Sequence, residues 1–294
     1  MYENKIYQAA ANLVMFALSL AAILPFILLF IASISDENSI VLNGYTFWPE
    51  KFSLDAYLYM WNNVESITRA YGITIVVTVI GTFTGLLIST LIAYPLSRSD
   101  MPMRSFLSFF VFFTLLFNGG LVPTYLIYTE IFQIKNTLAA LIVPGLLTNG
   151  FFILLIRSFF STTIPNAVIE SAYIDGAGEF KIFYRIVMPL SLPILATIGL
   201  MLLINYWNDW FNGLIYITDP QLYSIQNLLN RMLSNIQFLQ QNNLDGNASQ
   251  AMANLPMNSV RMAMAVIGIL PIICVYPYLQ KYFVKGLVIG AVKG

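Results

Sequence analysis

Long apolar stretches alternate along the chain with short polar ones, and the apolar stretches set the architecture. Six of them reach the roughly 20 residues an apolar helix needs to cross a bilayer, at about 13–33, 71–97, 106–128, 137–160, 188–211 and 261–282. The pattern predicts an all-α membrane protein with six transmembrane helices. The first run follows Lys5, contains Pro25 and is longer than a signal-peptide core. No small-x-small cleavage site precedes the polar residues from Ser33 to Asn38, so this run is expected to stay as a first helix. Residues 1–70 then hold the first helix and a loop, and residues 71–284 form one transmembrane domain. A short tail covers 285–294, and the two long connections inside the domain are 161–187 and 213–259.

Charge orients the array, because cytoplasmic loops carry the excess of lysine and arginine. With the N terminus inside, Lys5, Arg98, Arg104, Arg157, Lys181, Arg185, Lys281, Lys285 and Lys293 are cytoplasmic. Lys51, Arg69, Lys135, Arg231 and Arg261 are external. The acids lean the other way, with Asp36, Glu37, Glu50, Asp55 and Glu65 in the first external loop and Asp219 and Asp245 in the last. Both termini and the 161–187 connection are thus expected in the cytoplasm.

Composition narrows the chemistry. Hydrophobic residues make up 58% of the chain and charged residues 10%, outside the usual range of a soluble domain. The 14 basic and 14 acidic residues cancel, which argues against a nucleic-acid partner. The chain has no histidine and one cysteine, Cys274, so histidine-based catalysis, multi-cysteine metal sites and internal disulfides are excluded. No bound cofactor or metal is expected.

Two external connections have distinctive compositions. Residues 34–70 carry Trp48, Phe52, Tyr57, Tyr59 and Trp61, which suits either an aromatic belt at the headgroup level or a partner surface. Residues 213–259 are rich in amides, among them Gln226, Asn227, Asn230, Asn235, Asn242, Asn243, Asn247, Gln250 and Asn254. Amides bind hydroxyl-rich ligands without a fixed charge, and they equally make a solvated loop. The spacing from Ile225 to Leu233 predicts a short surface helix there.

The 161–187 connection has a definite local shape. Pro165 suits the first turn of a helix running through Ala167, Val168, Ser171 and Ala172 and ending near Asp175-Gly176. Phe180, Phe183, Ile186 and Val187 then follow at spacings of a second helix, and Pro189 and Pro193 mark the entry to the fifth apolar run. Shape alone fits both an ordinary connection and a docking element.

Spacing is more specific than shape. Glu170-x-Ala172-x-x-Asp175-Gly176-Ala177, then Ile186 and Pro189-Leu190-x-x-Pro193, resembles the "EAA" loop of the permease subunits of bacterial carbohydrate ABC importers. Phe117-Asn-Gly-Gly-Leu-Val-Pro-Thr-Tyr-Leu-Ile127, Trp207-Asn208-Asp209 and the C-terminal Gln280–Gly294 stretch resemble the same family, in particular its lipoprotein-/oligosaccharide-permease group. Ser171 departs from the alanine usual in that motif, and a serine is small enough for the same groove.

The resemblance implies the type I ABC importer permease fold and a set of partners. These are a second permease subunit, expected to be a different chain, two cytosolic ATPase subunits that use ATP and Mg, and an extracytoplasmic solute-binding protein that delivers a sugar or oligosaccharide. It implies residence in a bacterial cytoplasmic membrane. Glu170, Ser171, Ala172, Asp175, Gly176 and Ala177 would then seat the loop on the ATPase. Lys285, Gly286 and Lys293 of the tail would reach the ATPase interface or, alternatively, anchor to the membrane surface. The chain has no Gly-x-x-x-x-Gly-Lys-Ser/Thr phosphate loop of its own, so it is expected to be a transport subunit rather than an ATPase.

Candidates for the substrate path are Tyr206, Trp207, Asn208, Asp209 and Trp210 near the external end of the fifth run, and Asn118 in the third. Aromatic faces, amides and a carboxylate suit sugar rings and hydroxyls. The same residues also fit an interface belt with Asp209 capping a neighbouring helix. Thr114, Thr148 and Asn149 line the pore or hydrogen-bond between helices. Two rival classes fit less well. A secondary transporter usually keeps several ionisable groups at mid-membrane, and only Asp209 approaches that here; an intramembrane enzyme lacks an acid-base pair at depth.

Overall fold

A computed structural model describes residues 5–241 and 256–291. Asn242, Asn243, Asn247, Gln250 and Asn254 of the amide-rich connection, and Lys293 of the tail, lie outside the described residues. The described chain is helical, and its one isolated β-bridge pairs Ser35 with Phe52. Among the described residues three helices are long and apolar enough to cross a membrane, and the number rises to six when each of three sharply bent helix pairs counts as one span.

The chain falls into two compact units, one made of residues up to Ile67 together with Leu229–Cys274, the other of Thr68–Leu228 with the chain from Val275. The first unit starts with α1 (Lys5–Ser33), polar only at Lys5, Gln8 and Asn12 in its first turns and almost wholly apolar beyond them, followed by the short α2 (Glu37–Asn43) and α3 (Asp55–Trp61). Ser33 Oγ and Tyr57 Oη lie 2.8 Å apart, and the Ser35–Phe52 bridge closes the loop between them. Trp48 and Trp61 are exposed and Tyr57 is half-buried, which fits an aromatic surface on this loop.

One carboxylate organises this unit. Glu37 accepts hydrogen bonds from the backbone N–H groups of Asn258 and Ser259 and from their side chains, all between 2.8 and 3.0 Å. Those residues open the last helix, whose first N–H groups have no partner within the helix. Glu37→Ala is therefore expected to destabilise the protein by about 1.5–3 kcal/mol, the usual worth of hydrogen bonds to a charged group. A thermal unfolding midpoint indistinguishable from wild type would contradict this.

The second unit is built on α4 (Val64–Ser97) from Thr68 onward, and the helix's 34 residues span about 51 Å at 1.5 Å per residue. Where α4 meets the later helices, Gly81 matters most: a Cβ there would lie 2.4 Å from Cζ of Tyr206, so the ring sits directly on the α4 backbone. The Tyr206 hydroxyl donates to the Ile142 carbonyl at 3.0 Å, and the residue is 2% exposed.

The third apolar run is not one helix. It forms α5 (Arg104–Leu116) and α6 (Leu121–Leu126), followed by a π turn over Ile127–Ile131, and the two halves meet at 113°. The break falls at Phe117-Asn118-Gly119-Gly120, where Phe117 is extended, Gly120 takes φ +85° and the Asn118 carboxamide accepts the Gly120 N–H at 2.8 Å. A local side-chain bond and a left-handed glycine interrupt the helix despite its hydropathy.

The fourth run is corrected in the same way. A four-residue helix, α7 (Ala139–Ile142), ends before Pro144-Gly145, and the long helix, α8 (Gly150–Thr163), starts only at Gly150. Asn149 accepts the Phe151 N–H at 2.9 Å as the N-cap of α8. Thr114 bonds back to the Val111 carbonyl of its own helix. After α8 the chain turns by 76° into α9 (Asn166–Ile174), then runs through α10 (Glu179–Ile182), a π turn over Phe183–Val187 and α11 (Met188–Leu190). An 80° bend at Ser191 leads into α12 (Leu192–Asn208), shorter at both ends than the expected 188–211. Pro193 lies in the first turn of α12, where its missing N–H is tolerated. Then come α13 (Phe211–Tyr216) and α14 (Ile225–Gln241), which starts at Ile225 as expected but runs well past Leu233 and buries Ile225, Asn227 and Leu229 instead of lying wholly on the surface. The final helix, α15 (Met257–Ala291), continues through Lys285 and Gly286, so the stretch read as a tail is largely helix.

Candidate functional site

Two places in the second unit carry the residues singled out in the sequence. The first is the connection from α8 to α10. Pro165 precedes α9 by one residue, in extended conformation, rather than opening it. The other end closes as a full Schellman motif: Gly176 N–H donates to the Tyr173 carbonyl and Ala177 N–H to the Ala172 carbonyl, both at 2.9 Å. Gly176 takes φ +74°, which an L side chain adopts only at a cost, whereas a Cβ there would meet nothing within 4 Å. Backbone conformation rather than crowding thus reserves this position for glycine.

Burial divides the motif residues. Glu170, Ser171, Asp175 and Gly176 are exposed, and Ala177 is half-buried. Ala172 faces the other way, buried with Ile169 in the hydrophobic core of its own unit, where it supports α9 from beneath. The helix turns Ala172 and Ile169 inward together because they are three positions apart. Beside the exposed residues lie three large apolar side chains, Ile174 at 86%, Phe180 at 85% and Tyr184 at 75% exposure. Sequence reasoning placed Phe180 on an amphipathic helix but missed Ile174 and Tyr184, whose only signal is that they flank the core-facing positions.

Cations gather at the same end. The Arg104 and Arg157 Nε atoms both donate to the Leu96 carbonyl at 3.0 Å, at the last turn of α4. There they also complement the negative end of the helix dipole. Arg98 holds Asp100 with two bonds of 3.1 and 2.9 Å, and this hydrogen bonding keeps the Asp100 carboxyl below its ordinary pKa.

The second place is a cavity of about 430 Å³. Three interruptions of helix converge on it: Asn118, Gly120 and Thr124 from the α5–α6 break, Pro144 and Gly145 from the α7–α8 connection, and Asp209 and Asn212 from the α12–α13 break. The Asp209 carboxylate accepts the N–H groups of Phe211 and Asn212 at 3.1 and 3.2 Å, capping α13, and still borders the cavity. Asn212 donates to the Pro144 carbonyl at 2.9 Å, which ties two of the breaks together.

The aromatic cluster does not act as one surface. Asn118 and Asp209 meet at the cavity, whereas Tyr206 and Trp207 point into the packed interior, with Trp207 6.3 Å from the Tyr71 ring. Asn208 is exposed and bonds the Ile204 carbonyl, and Trp210 stands edge-on to Phe211 on the surface. Thr124 and Tyr216 line the cavity without having been named as candidates. Thr124 lay inside the Phe117–Ile127 motif; nothing in the sequence marks Tyr216.

Comparison with known proteins gives these features a context. The family described as "binding-protein-dependent transport system inner membrane component" matches residues 85–289. The chain is 37% identical over 284 residues to the polygalacturonan/rhamnogalacturonan transport system permease protein YtcP of Bacillus subtilis (strain 168), covering 96% of each chain. It is 37% identical over 272 residues to protein LplC of the same organism, covering 92% of this chain and 90% of that one. A crystal structure of a bacterial ABC transporter involved in the import of the acidic polysaccharide alginate contains a chain that superposes with a TM-score of 0.79. The two share 28% identity, with 96% of this chain and 98% of that chain covered. With helices bent where the cavity and the α9 turn require it, and with relatives matching nearly its whole length, this multi-pass chain belongs to the binding-protein-dependent inner membrane components, the permease subunits of ABC importers.

Proposed function

We propose that the chain forms half of the translocation pore of an ATP-driven importer for a sugar or oligosaccharide, with both termini in the cytoplasm. The observation that carries this reading is α9: a short, exposed helix set off by a 76° bend and closed by a Schellman turn, in a chain of this family. Glu170, Ser171, Asp175 and Gly176, with the exposed Ile174 and Phe180, make the face that docks on a cytosolic ATPase. Arg98, Arg104 and Arg157 beside it support the cytoplasmic placement, since arginine accumulates on that side.

The partners are a second, different permease subunit, two ATPase subunits that use ATP and Mg, and an extracytoplasmic binding protein. Closure of the ATPase pair on ATP moves α9 and rocks the membrane helices between inward-open and outward-open states. Asn118, Thr124 and Asp209 border the sugar path, where amide, hydroxyl and carboxylate groups match sugar hydroxyls. The names of the relatives, which speak of polygalacturonan and alginate, support a saccharide as cargo.

The complex reconstituted in liposomes tests this, with ATP hydrolysis followed as the binding protein is loaded with a panel of oligosaccharides. Stimulated hydrolysis together with ATP-dependent accumulation of one saccharide is expected. Uptake by this chain from an ion gradient, with no ATPase present, would replace the proposal by a secondary transporter.

A further inference from the structure

We infer that Glu179 is the joint through which movement of α9 reaches α4, an inference that rests on the docking role proposed for α9. Glu179 is the first residue of α10, and each of its carboxylate oxygens is engaged by a different helix. Oε1 accepts the hydroxyl of Tyr173 on α9, and Oε2 accepts the hydroxyl of Tyr94 on α4 at 2.5 Å. One side chain therefore joins the docking helix, the start of the next helix and the end of the long membrane helix.

The neighbours make this joint stiff on both sides. On the α9 side, Arg98 donates to the Tyr173 hydroxyl at 3.3 Å and stands 5.4 Å above its ring, while Asp100 holds the guanidinium in place. On the α4 side, Tyr94 is 9% exposed and packs its ring 5.1 Å from that of Phe183. Hydrogen bonds from phenols to an ionised carboxylate are short and strong, and aromatic side chains have few torsions to absorb a displacement. A displacement of Tyr173 thus bears on Tyr94 through a single shared carboxylate.

The point of delivery can yield. Pro95 follows Tyr94 inside α4, and a proline within a helix removes one backbone hydrogen bond and favours a bend. A cavity of about 420 Å³ lies against Tyr94, Pro95, Arg98 and Glu179, leaving space beside the joint. The Schellman turn at Gly176 keeps Tyr173 and Glu179 on the same short connection, so the joint moves with α9. Glu179 is accordingly a positioning residue for transport and has no contact with the cargo cavity.

The test uses the assembled importer in liposomes, carrying Y94F, E179A, E179Q or both Y94F and E179A. ATPase retention, ATP hydrolysis and saccharide uptake are measured side by side. Y94F keeps the ring packing and removes one donor. Y94F and E179A are expected to keep the ATPase bound and hydrolysis within about twofold, while uptake per ATP falls about tenfold, a coupling loss of ordinary size for linked sites. The double variant is expected to be no worse than E179A, and E179Q, which keeps an acceptor, to recover part of the loss. Uptake per ATP unchanged in Y94F would reduce the carboxylate to a clip of the fold and overturn the inference. So would loss of the ATPase from E179A with normal coupling in Y94F, which would make Glu179 part of the docking face. The docking reading itself fails by a different sign, retention of the ATPase by a chain with a broken Gly176 turn. Should E179A not assemble, Y94F alone decides.

Discussion

Gly176→Val is expected to abolish ATP-driven uptake and to release the ATPase, while the chain remains inserted in the membrane. The turn after α9 needs φ +74° at this position, and a side chain in that region costs about 1–2 kcal/mol, more when it is β-branched. That is small against the stability of the protein but large for one exposed turn. Relieving the strain breaks the bonds from Gly176 to the Tyr173 carbonyl and from Ala177 to the Ala172 carbonyl, and with them the angle at which α9 is presented. Gly176→Asn separates the two effects, because asparagine tolerates the left-handed region. It is expected to retain the ATPase and most of the uptake. Co-purification of the ATPase from solubilised membranes, with uptake measured in parallel, reads the result. A valine variant that kept both would remove α9 from the docking face.

On the sugar-path role proposed for Asp209, Asp209→Ala is expected to lower uptake by about tenfold or more with the ATPase still bound, since a charge-assisted hydrogen bond to a sugar hydroxyl would be worth ~1.5–3 kcal/mol. The substitution also removes the cap of α13, at a cost of about 0.5–2 kcal/mol. Asp209→Asn keeps an oxygen for the N–H groups of Phe211 and Asn212 and discards only the charge. If asparagine restores uptake in full, Asp209 serves the fold alone. Reduced uptake in both variants, with normal thermal stability of the asparagine variant, assigns the carboxylate to the path.

What the sequence disclosed was local. Gly176 and the spacing of Phe180, Phe183 and Val187 describe a helix, a turn and a helix within about two dozen residues, and hydropathy located most of the membrane segments. The interruptions escaped because a count of apolar residues averages over them. Asn118-Gly119-Gly120 and Pro144-Gly145 are turn chemistry in plain view, but they sit inside runs greasy enough to outweigh them. The facing of short helices was equally hidden. Ala172 and Ser171 differ by one position and by about 100° around the helix, and only tertiary contact decides which of them is buried. Trp207 and Asp209 are two residues apart, yet one packs inside and the other borders the cavity. The Glu179–Tyr94 bond joins positions 85 apart in the chain, beyond any pattern of spacing.

The tyrosine ring seated on Gly81 has a mechanical meaning. It presses on the backbone of α4 and belongs to α12, and its hydroxyl holds the last carbonyl of α7, so three backbones are registered at one level. In the rocking motion proposed above, these contacts tie the three backbones into one lever. That motion would then bend at the sharp turns between helices, the 113° break at Phe117–Gly120 and the 80° bend at Ser191 among them.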